Sequence, residues 1–229
     1  MQPHLPKTNQ SGFTIIESLV AIVVVGILMT VVAPVIVLSV GNRVQARRVE
    51  LASQAAKDYT DGIRSGAIAA PNQTISLNEV DATRQFNSQR NIFAGVAAPA
   101  AVNLSCPTTV EGYPYCSNTP TSSLYCIDLD GGGCSSNSSK DLVVQGFRSV
   151  SPSSPDADKG YVLGVRVYRA DAFSDSTPLV KSDADTKRTQ ATFTGGLGDR
   201  KAPLVEMATE ITTDKTTFQD FCDRLGGCQ

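Results

Sequence analysis

Residues 12–40 read GFTIIESLVAIVVVGILMTVVAPVIVLSV, an apolar run with a single carboxylate, Glu17. Residues 19–40 carry no charge, and as a helix rising ~1.5 Å per residue they are ~33 Å long. That length crosses the ~30 Å hydrocarbon core of a bilayer. A carboxylate inside such a segment is costly unless a cation pairs with it. Glu17 is therefore expected either at the membrane surface or beside a cationic partner.

The apolar segment is expected to stay in the chain, because no small-residue cleavage site follows Val40 at the distance a secretory signal requires. Lys7 precedes the segment, whereas Arg43, Arg47 and Arg48 follow it. Taken alone, the positive-inside rule therefore favours a cytoplasmic C-terminal side. All six cysteines also follow the segment, and disulfides persist in oxidising compartments. We give the cysteines more weight and place the C-terminal side outside the cytoplasm.

The cysteines are the main chemical signal in the rest of the chain. Their number is even, none forms a C-x-x-C pair, and the only histidine is His4 in the leader. A zinc site of mixed cysteine and histidine ligands is thus excluded in the domain. We expect disulfides and favour the short loops Cys126–Cys134 and Cys222–Cys228; free buried thiols are the alternative. The candidates are Cys106, Cys116, Cys126, Cys134, Cys222 and Cys228.

Composition and motifs exclude several classes of function. The 229-residue chain has a formal net charge of −2 and a pI near 5.4, so it lacks the basic footprint of a nucleic-acid-binding protein. It contains no P-loop and no G-x-S-x-G motif, and its carboxylates are scattered through loops. We therefore expect no enzyme, no cofactor and no nucleic-acid partner.

A helical period continues beyond the apolar run. Across residues 42–65, apolar side chains recur three or four positions apart, and charged side chains occupy the remaining positions. Gly66 and Pro71 end the pattern. A single helix of ~50 residues needs a surface on which its second half can rest, and a sheet packed on the apolar stripe supplies one.

Strand signals come late in the chain and are separated by turn-forming residues. Because helices do not alternate with these strands, antiparallel pairing is expected; residues 78–94 are a candidate second, short helix. The predicted fold is α+β: a long N-terminal helix, half transmembrane and half amphipathic, packed on an antiparallel β-sheet with disulfide-bonded loops. The candidate strands are 141–150, 161–170, 190–194 and 204–209.

The run GFTIIE, from Gly12 to Glu17, precedes a long apolar helix and resembles the N-terminus of type IV pilins and type II secretion pseudopilins. The resemblance covers residues 7–64. It implies that a prepilin peptidase cuts between Gly12 and Phe13 on the cytoplasmic face, and that Phe13 is then methylated. Ser18 departs from the leucine that is more usual there, which leaves these expectations intact.

The same resemblance supplies a cationic partner for Glu17. Cleavage creates an amine on Phe13, and in filaments of this family the glutamate is thought to neutralise the amine of an adjacent subunit. Two groups that are each costly in lipid become tolerable as a pair, so pairing favours docking of a subunit. The alternative is a first-turn glutamate favoured by the helix dipole. We favour the assembly role.

Gly26 and Pro34 interrupt the helix-forming sequence of the apolar run. Pro34 removes the backbone hydrogen bond to the Thr30 carbonyl, and Gly26 lowers local helix propensity by up to ~1 kcal/mol relative to alanine. In filaments of the resembled family, the stretch between these positions can unwind so that the subunit extends and packs. Both residue types are also common in membrane helices, and the two interpretations stay open.

Two acidic loops have a composition that suits calcium, which prefers oxygen ligands. They are DLDGGG, with Asp128 and Asp130, and DADKG, with Asp156 and Asp158. Neither completes an EF-hand pattern, and aspartate and glycine are ordinary turn residues. We favour turns and expect no metal, with Asp128 and Asp130 as weak calcium candidates.

These inferences predict a structural filament subunit, a minor pilin or pseudopilin. Residues 1–12 would be the prepilin leader, 13–41 the transmembrane and assembly helix, and 42–229 an extracytoplasmic pilin-like domain, helical to about residue 66. The subunit would cross the inner membrane once and then join a periplasmic or surface filament. Its partners would be prepilin peptidase, other pilin subunits and an inner-membrane assembly platform. The alternative is a monomeric, membrane-anchored extracytoplasmic binding module.

A further resemblance bears on the process that the filament serves. Residues 47–68, RRVELASQAAKDYTDGIRSGAI, resemble pseudopilins assigned to polysaccharide secretion in filamentous photosynthetic bacteria. This resemblance implies polysaccharide secretion or gliding motility. Protein secretion by a type II system stays open as the alternative.

Overall fold

Two helices and six strands make up the computed structural model where it describes the chain. The helices are α1 (Ile15–Arg64) and α2 (Phe218–Leu225). The strands are β1 (Thr74–Ser76), β2 (Tyr115–Asn118), β3 (Ser122–Ile127), β4 (Leu142–Val150), β5 (Tyr161–Arg169) and β6 (Val205–Ile211). The described residues are 12–76, 95–102, 104–106, 115–118, 122–150, 155–183, 185–191 and 198–225.

α1 is the long helix that the sequence predicts, and it is continuous over 50 residues. It begins after Thr14, which is extended (φ −77°, ψ 149°) and caps the first turn. It ends where the Ser65 N–H donates to the Asp61 carbonyl and Gly66 adopts φ 74°, a left-handed conformation common after helices. Residues 12–40 are exposed throughout, whereas the second half of α1 packs on the sheet.

The sheet is mainly antiparallel. Its strands lie in the order β2-β3-β4-β5-β6, and every neighbouring pair in that order is antiparallel. β1 is the exception among the described strands, because it pairs in parallel with the end of β4. Arg148 of β4 holds the chain that leaves α1 there: its backbone N–H donates to the Gln73 carbonyl at 2.9 Å, and its Nε donates to the Pro71 carbonyl at 3.1 Å.

Alternate strand residues build a core on each face of the sheet, since successive side chains point to opposite faces. On one face Val144 and Val165 pack with Tyr59 of α1. On the other face Val143 and Tyr168 pack with a second cluster that contains both described disulfides. The sheet therefore anchors the second half of α1 and leaves the first half projecting.

Small residues set the close approach of α1 to the sheet. Ala52, Ala55 and Ala56 are buried on the face that meets the strands. Tyr59 lies over Gly146 of β4, where an added Cβ would lie 2.8 Å from carbons of the tyrosine ring. Glycine is therefore the residue that this contact permits.

Three of the four predicted strands are confirmed as β4, β5 and β6, with ends shifted by one or two residues. The strand predicted at 190–194 is wrong over its described part. Gln190 lies outside any strand: its backbone N–H donates to the Pro203 carbonyl at 2.9 Å without belonging to a ladder. Its side chain accepts from Gln45 Nε2 at 2.7 Å and donates to the Ala202 carbonyl at 2.9 Å. Residues 192–194 lie outside the described residues.

The sequence analysis did not find β1, β2, β3 or α2. β3 begins with two serines, β2 has only four residues, and a three-residue strand such as β1 is too short for periodicity to detect. The candidate helix at 78–94 lies outside the described residues.

Candidate processing and assembly site

The junction between Gly12 and Phe13 lies in an exposed, non-helical segment just before α1. Phe13 is 80% exposed, and a Cβ added at Gly12 would meet no atom within 4 Å. Nothing in the described chain therefore packs against Gly12. A peptidase could reach it without unfolding α1.

Thr14 fixes where the helix begins. Its Oγ1 accepts a hydrogen bond from the Glu17 backbone N–H at 3.3 Å, and its carbonyl accepts a second bond from the same N–H at 3.1 Å. The sequence analysis missed this cap, although Thr14-x-x-Glu17 is the pattern of a capping box. Phe13 is thus the residue immediately before the helix cap.

Glu17 lies in the first turn of α1, one turn from Phe13. Its backbone is used by the cap, but its carboxylate makes no ion pair within the part of the chain that the structure describes. A negative charge here is favoured by the helix dipole. The carboxylate is also exposed and available to a cation from another molecule.

The first half of α1 presents apolar side chains on all sides. Ile15, Ile22, Met29 and Val37 illustrate this, each being at least two-thirds exposed. By length and composition α1 can span a bilayer. An apolar surface of this extent needs lipid or protein around it.

α1 runs through Gly26 and Pro34 without a break. A Cβ added at Gly26 would meet no atom within 4 Å, so nothing in the described chain requires glycine there. Pro34 leaves the Thr30 carbonyl without its helical N–H partner, and the Thr30 hydroxyl donates to the Ile27 carbonyl at 2.8 Å. The residues lie where the sequence analysis placed them, and their role in helix flexibility stays a prediction.

Disulfides hold the far edge of the sheet. Cys126 pairs with Cys134, as the sequence analysis favoured, and Cys106 pairs with Cys116. The Sγ atoms of Cys106, Cys116 and Cys126 lie within 4.8 Å of one another, so the two bridges are neighbours. Cys222 is also disulfide-bonded, and the predicted partner, Cys228, lies outside the described residues.

The candidate calcium loop is occupied by its own hydrogen bonds. Asp128 accepts hydrogen bonds from the backbone N–H groups of Gly131 and Gly133, each at 2.7 Å. These bonds hold the pKa of Asp128 below its ordinary value, and the bond from Gly133 has the larger effect. Asp130 accepts from a serine hydroxyl at 2.8 Å, and the buried Asp141 accepts two backbone N–H groups. These bonds are typical of aspartate-stabilised turns. Carboxylate oxygens of Asp128, Asp130 and Asp141 also lie within 4.8 Å of one another, so the calcium prediction is not tested.

The DADKG loop is likewise used structurally. Asp156 precedes the 3-10 turn Ala157–Lys159, and Asp158 forms an exposed ion pair with Lys215 at 2.6 Å. The hydrogen bond from Lys215 lowers the pKa of Asp158. This pair links the turn to the segment before α2.

Comparison with known proteins bears on the N-terminal segment. A family model described as the prokaryotic N-terminal methylation motif matches residues 7–33. The chain carries this methylation motif. The match takes in Gly12, Phe13, Glu17 and the first half of the apolar run. No curated protein and no solved structure matches the chain.

The methylation motif supports a type IV pilin-like or pseudopilin subunit. It implies processing by a prepilin peptidase and assembly with other pilin subunits. The projecting apolar half of α1 fits the membrane anchor typical of type IV pilins. Proteins of this structural class are typically non-enzymatic.

Proposed function

We propose that the chain is a minor pilin or pseudopilin, a structural subunit of a type IV pilus-like or secretion filament. The observation that carries this proposal is the uncovered apolar half of α1, which bears the methylation motif and projects from a domain that holds the other half rigidly. A helix presented in this way can enter lipid first and a bundle of identical helices afterwards.

The chain would be processed as follows. Residues 1–12 are the leader, and prepilin peptidase cuts between Gly12 and Phe13, where the backbone is exposed and the helix has not begun. Phe13 becomes the methylated first residue. Residues 13–41 span the inner membrane, and 42–229 form the extracytoplasmic domain.

Glu17 would direct assembly by pairing with the new Phe13 amine of the neighbouring subunit. The exposed carboxylate has no internal cation to satisfy it within the described residues. In lipid, an unpaired carboxylate and an unpaired amine are both costly, so a docking step that joins them is favoured over either monomer alone.

Gly26 and Pro34 would let the apolar half of α1 loosen as the subunit packs. Pro34 has already removed one hydrogen bond from the helix, and Gly26 lacks any packing contact in the described chain that would explain its small size. Neighbouring helices in the filament would form hydrogen bonds with the backbone groups that are left unpaired, or would pack closely against Gly26.

Disulfides support a domain outside the cytoplasm, since bridges persist in oxidising compartments. Two bridges join described cysteines on and beside the sheet. The subunit would thus wait in the inner membrane for the assembly platform and then enter a periplasmic or surface filament. Polysaccharide secretion or gliding motility is the process that the resemblance of residues 47–68 favours.

The mature N-terminus tests this proposal. Mass spectrometry of the chain purified from membranes should give a protein that begins at Phe13 and carries one methyl group on its amine. An intact leader, or a cut at another position, would contradict the proposal and favour a monomeric membrane-anchored binding module.

A further inference from the structure

We propose that Arg43, Arg47 and Arg48, here called the arginine collar, bind the phosphate groups of anionic phospholipids at the outer surface of the membrane. This inference rests on the proposed membrane insertion of α1. It gives a role to the three arginines that oppose the positive-inside rule when that rule is taken alone.

The first arginine of the collar lies at the depth of lipid headgroups. Arg43 is the first charged residue after the run 19–40, and at ~1.5 Å per residue it lies ~4.5 Å beyond Val40. Subtracting the ~30 Å core from a bilayer ~40–45 Å thick leaves an interfacial layer of ~5–7 Å on each side. The Cα atoms of Arg47 and Arg48 lie ~10–12 Å beyond Val40, outside that layer. Because Cα–Cβ bonds in a helix tilt towards its N-terminus, their long side chains extend back towards the headgroups.

The two exposed arginines of the collar are open to an external anion. Arg43 makes no hydrogen bond or ion pair within the described part of the chain. Arg47 pairs with Glu50 at 2.7 Å, but both side chains are more than 60% exposed. An exposed pair of this kind is weak, so it does not prevent a lipid phosphate from competing for Arg47.

Arg48 is partly buried and has no hydrogen bond or ion pair among the described residues. Its charge interacts with Arg169 and with Asp171, which pair with each other. Burial, followed by the charge of Arg169, lowers the pKa of Arg48, and the charge of Asp171 opposes this shift. The buried Nε of Arg169 also has no described partner. An incoming phosphate would add negative charge beside Arg48.

Lipid is a better occupant than a second copy of the chain held at the same depth. Residues 41–56 contain three arginines and a single acidic residue, Glu50. A parallel copy in the same register would present the same positive collar and would repel it. Lipid headgroups lie at the depth of Arg43 around every inserted monomer, and the positive charge of the collar favours the anionic ones among them.

The experiment uses the full chain reconstituted in vesicles of phosphatidylcholine that contain a minority of phosphatidylglycerol. Spin-labelled versions of each lipid report their relative association with the protein. The variant is Arg43→Gln/Arg48→Gln. The control is Lys57→Gln, which removes an exposed cation that lies ~13 Å beyond Arg48 along the same helix. We expect the wild type and the control to prefer phosphatidylglycerol.

The double variant should lose that preference by up to ~5-fold for each arginine, the ratio that corresponds to ~1 kcal/mol per residue near an anionic surface. Salt should weaken the wild-type preference. An unchanged preference in the double variant, or an equal loss in the control, would overturn the proposal. Unchanged lipid preference with loss of the variant from filaments would also overturn it, in favour of a carboxylate on a neighbouring subunit.

Failure of the proposed function has a different signature. If α1 does not span the membrane, alkaline carbonate will release every version of the chain from the vesicles. A chain that stays in the membrane but shows no lipid preference contradicts the collar alone.

Discussion

At the residue scale, Glu17 has an observed local role in the helix cap and a proposed role between molecules. Its backbone N–H completes the cap on Thr14, and this bond does not require a charged side chain. Its exposed carboxylate serves no described contact. The two roles can therefore be separated by a substitution that removes the charge and keeps the shape.

Glu17→Gln should leave membrane insertion and cleavage largely intact, because the peptidase is expected to act at Gly12. Assembly should fail or weaken by a few kcal/mol per docking step, the scale for breaking a buried charge pair. The measurement is the amount of subunit in sheared filaments relative to its amount in the membrane.

The matched control for this variant is Glu50→Gln, which removes an exposed carboxylate from the same helix. It should assemble normally. Normal recovery of Glu17→Gln in filaments would show that Glu17 acts only in the first turn of the helix and has no role in assembly.

Asp128 gives a prediction about pH. The N–H groups of Gly133 and Gly131 lower its pKa in the folded state, so its contribution to stability is present above the ordinary aspartate pKa of ~3.9 and is lost as pH falls through the folded-state pKa. The difference in melting temperature between the wild type and Asp128→Asn should therefore be largest near neutral pH and shrink below about pH 4.

Circular dichroism of the detergent-solubilised chain across that pH range measures the difference. Asp58→Asn, on the exposed face of α1, controls for the loss of one charge. A difference for Asp128→Asn that stays constant with pH would show that the hydrogen bonds of the loop do not depend on ionisation.

At the scale of elements, the proposed function depends on a helix that packs on the sheet at one end and is uncovered by the described chain at the other. The sheet grips α1 through small residues and through Tyr59 above Gly146. The disulfides lie on the other face and edge, where they hold β2, β3 and the loops around them. The packing of α1 on the sheet and the disulfide cross-links at the sheet edge can be tested separately.

Gly146→Ala should weaken the packing of α1 on β4. The added methyl group would lie 2.8 Å from the Tyr59 ring carbons, and overpacking of this kind typically costs ~1–3 kcal/mol. Thermal or urea denaturation measures the loss. Gly132→Ala is the control, since its added carbon would make an ordinary 3.5 Å contact with Asp130; equal effects of the two substitutions would contradict the close approach of α1 to β4.

Removal of one disulfide should destabilise the sheet edge. For Cys126→Ala/Cys134→Ala, whose bridge spans a sequence separation of 8, loop-closure entropy gives a loss of about 2–3 kcal/mol in the free energy of unfolding. A reductant should lower the stability of the wild type by at least as much, because it also opens Cys106–Cys116. A reductant without effect would mean that these bridges contribute nothing to the fold.

At the scale of the whole molecule, the sequence predicts what local patterns determine. Periodicity placed α1 and three strands, and the residues from Gly12 to Glu17 lie in the methylation motif, whereas the processing junction stays a prediction. Contacts between distant segments could not be predicted from local patterns. The charge interaction of Arg48 with Arg169 depends on the register of α1 against β5, and the pairing of Cys106 with Cys116 depends on a strand of only four residues. The cap at Thr14 was detectable from its capping-box pattern and was missed.

The central claim is that the projecting half of α1 takes the chain from the membrane into a filament after the leader is removed. The most direct test is mass spectrometry of the N-terminal peptide in the sheared filament fraction. The account predicts a peptide that begins at methylated Phe13 in that fraction. A chain that is found only in the membrane fraction, or that still begins at Met1, would contradict the account.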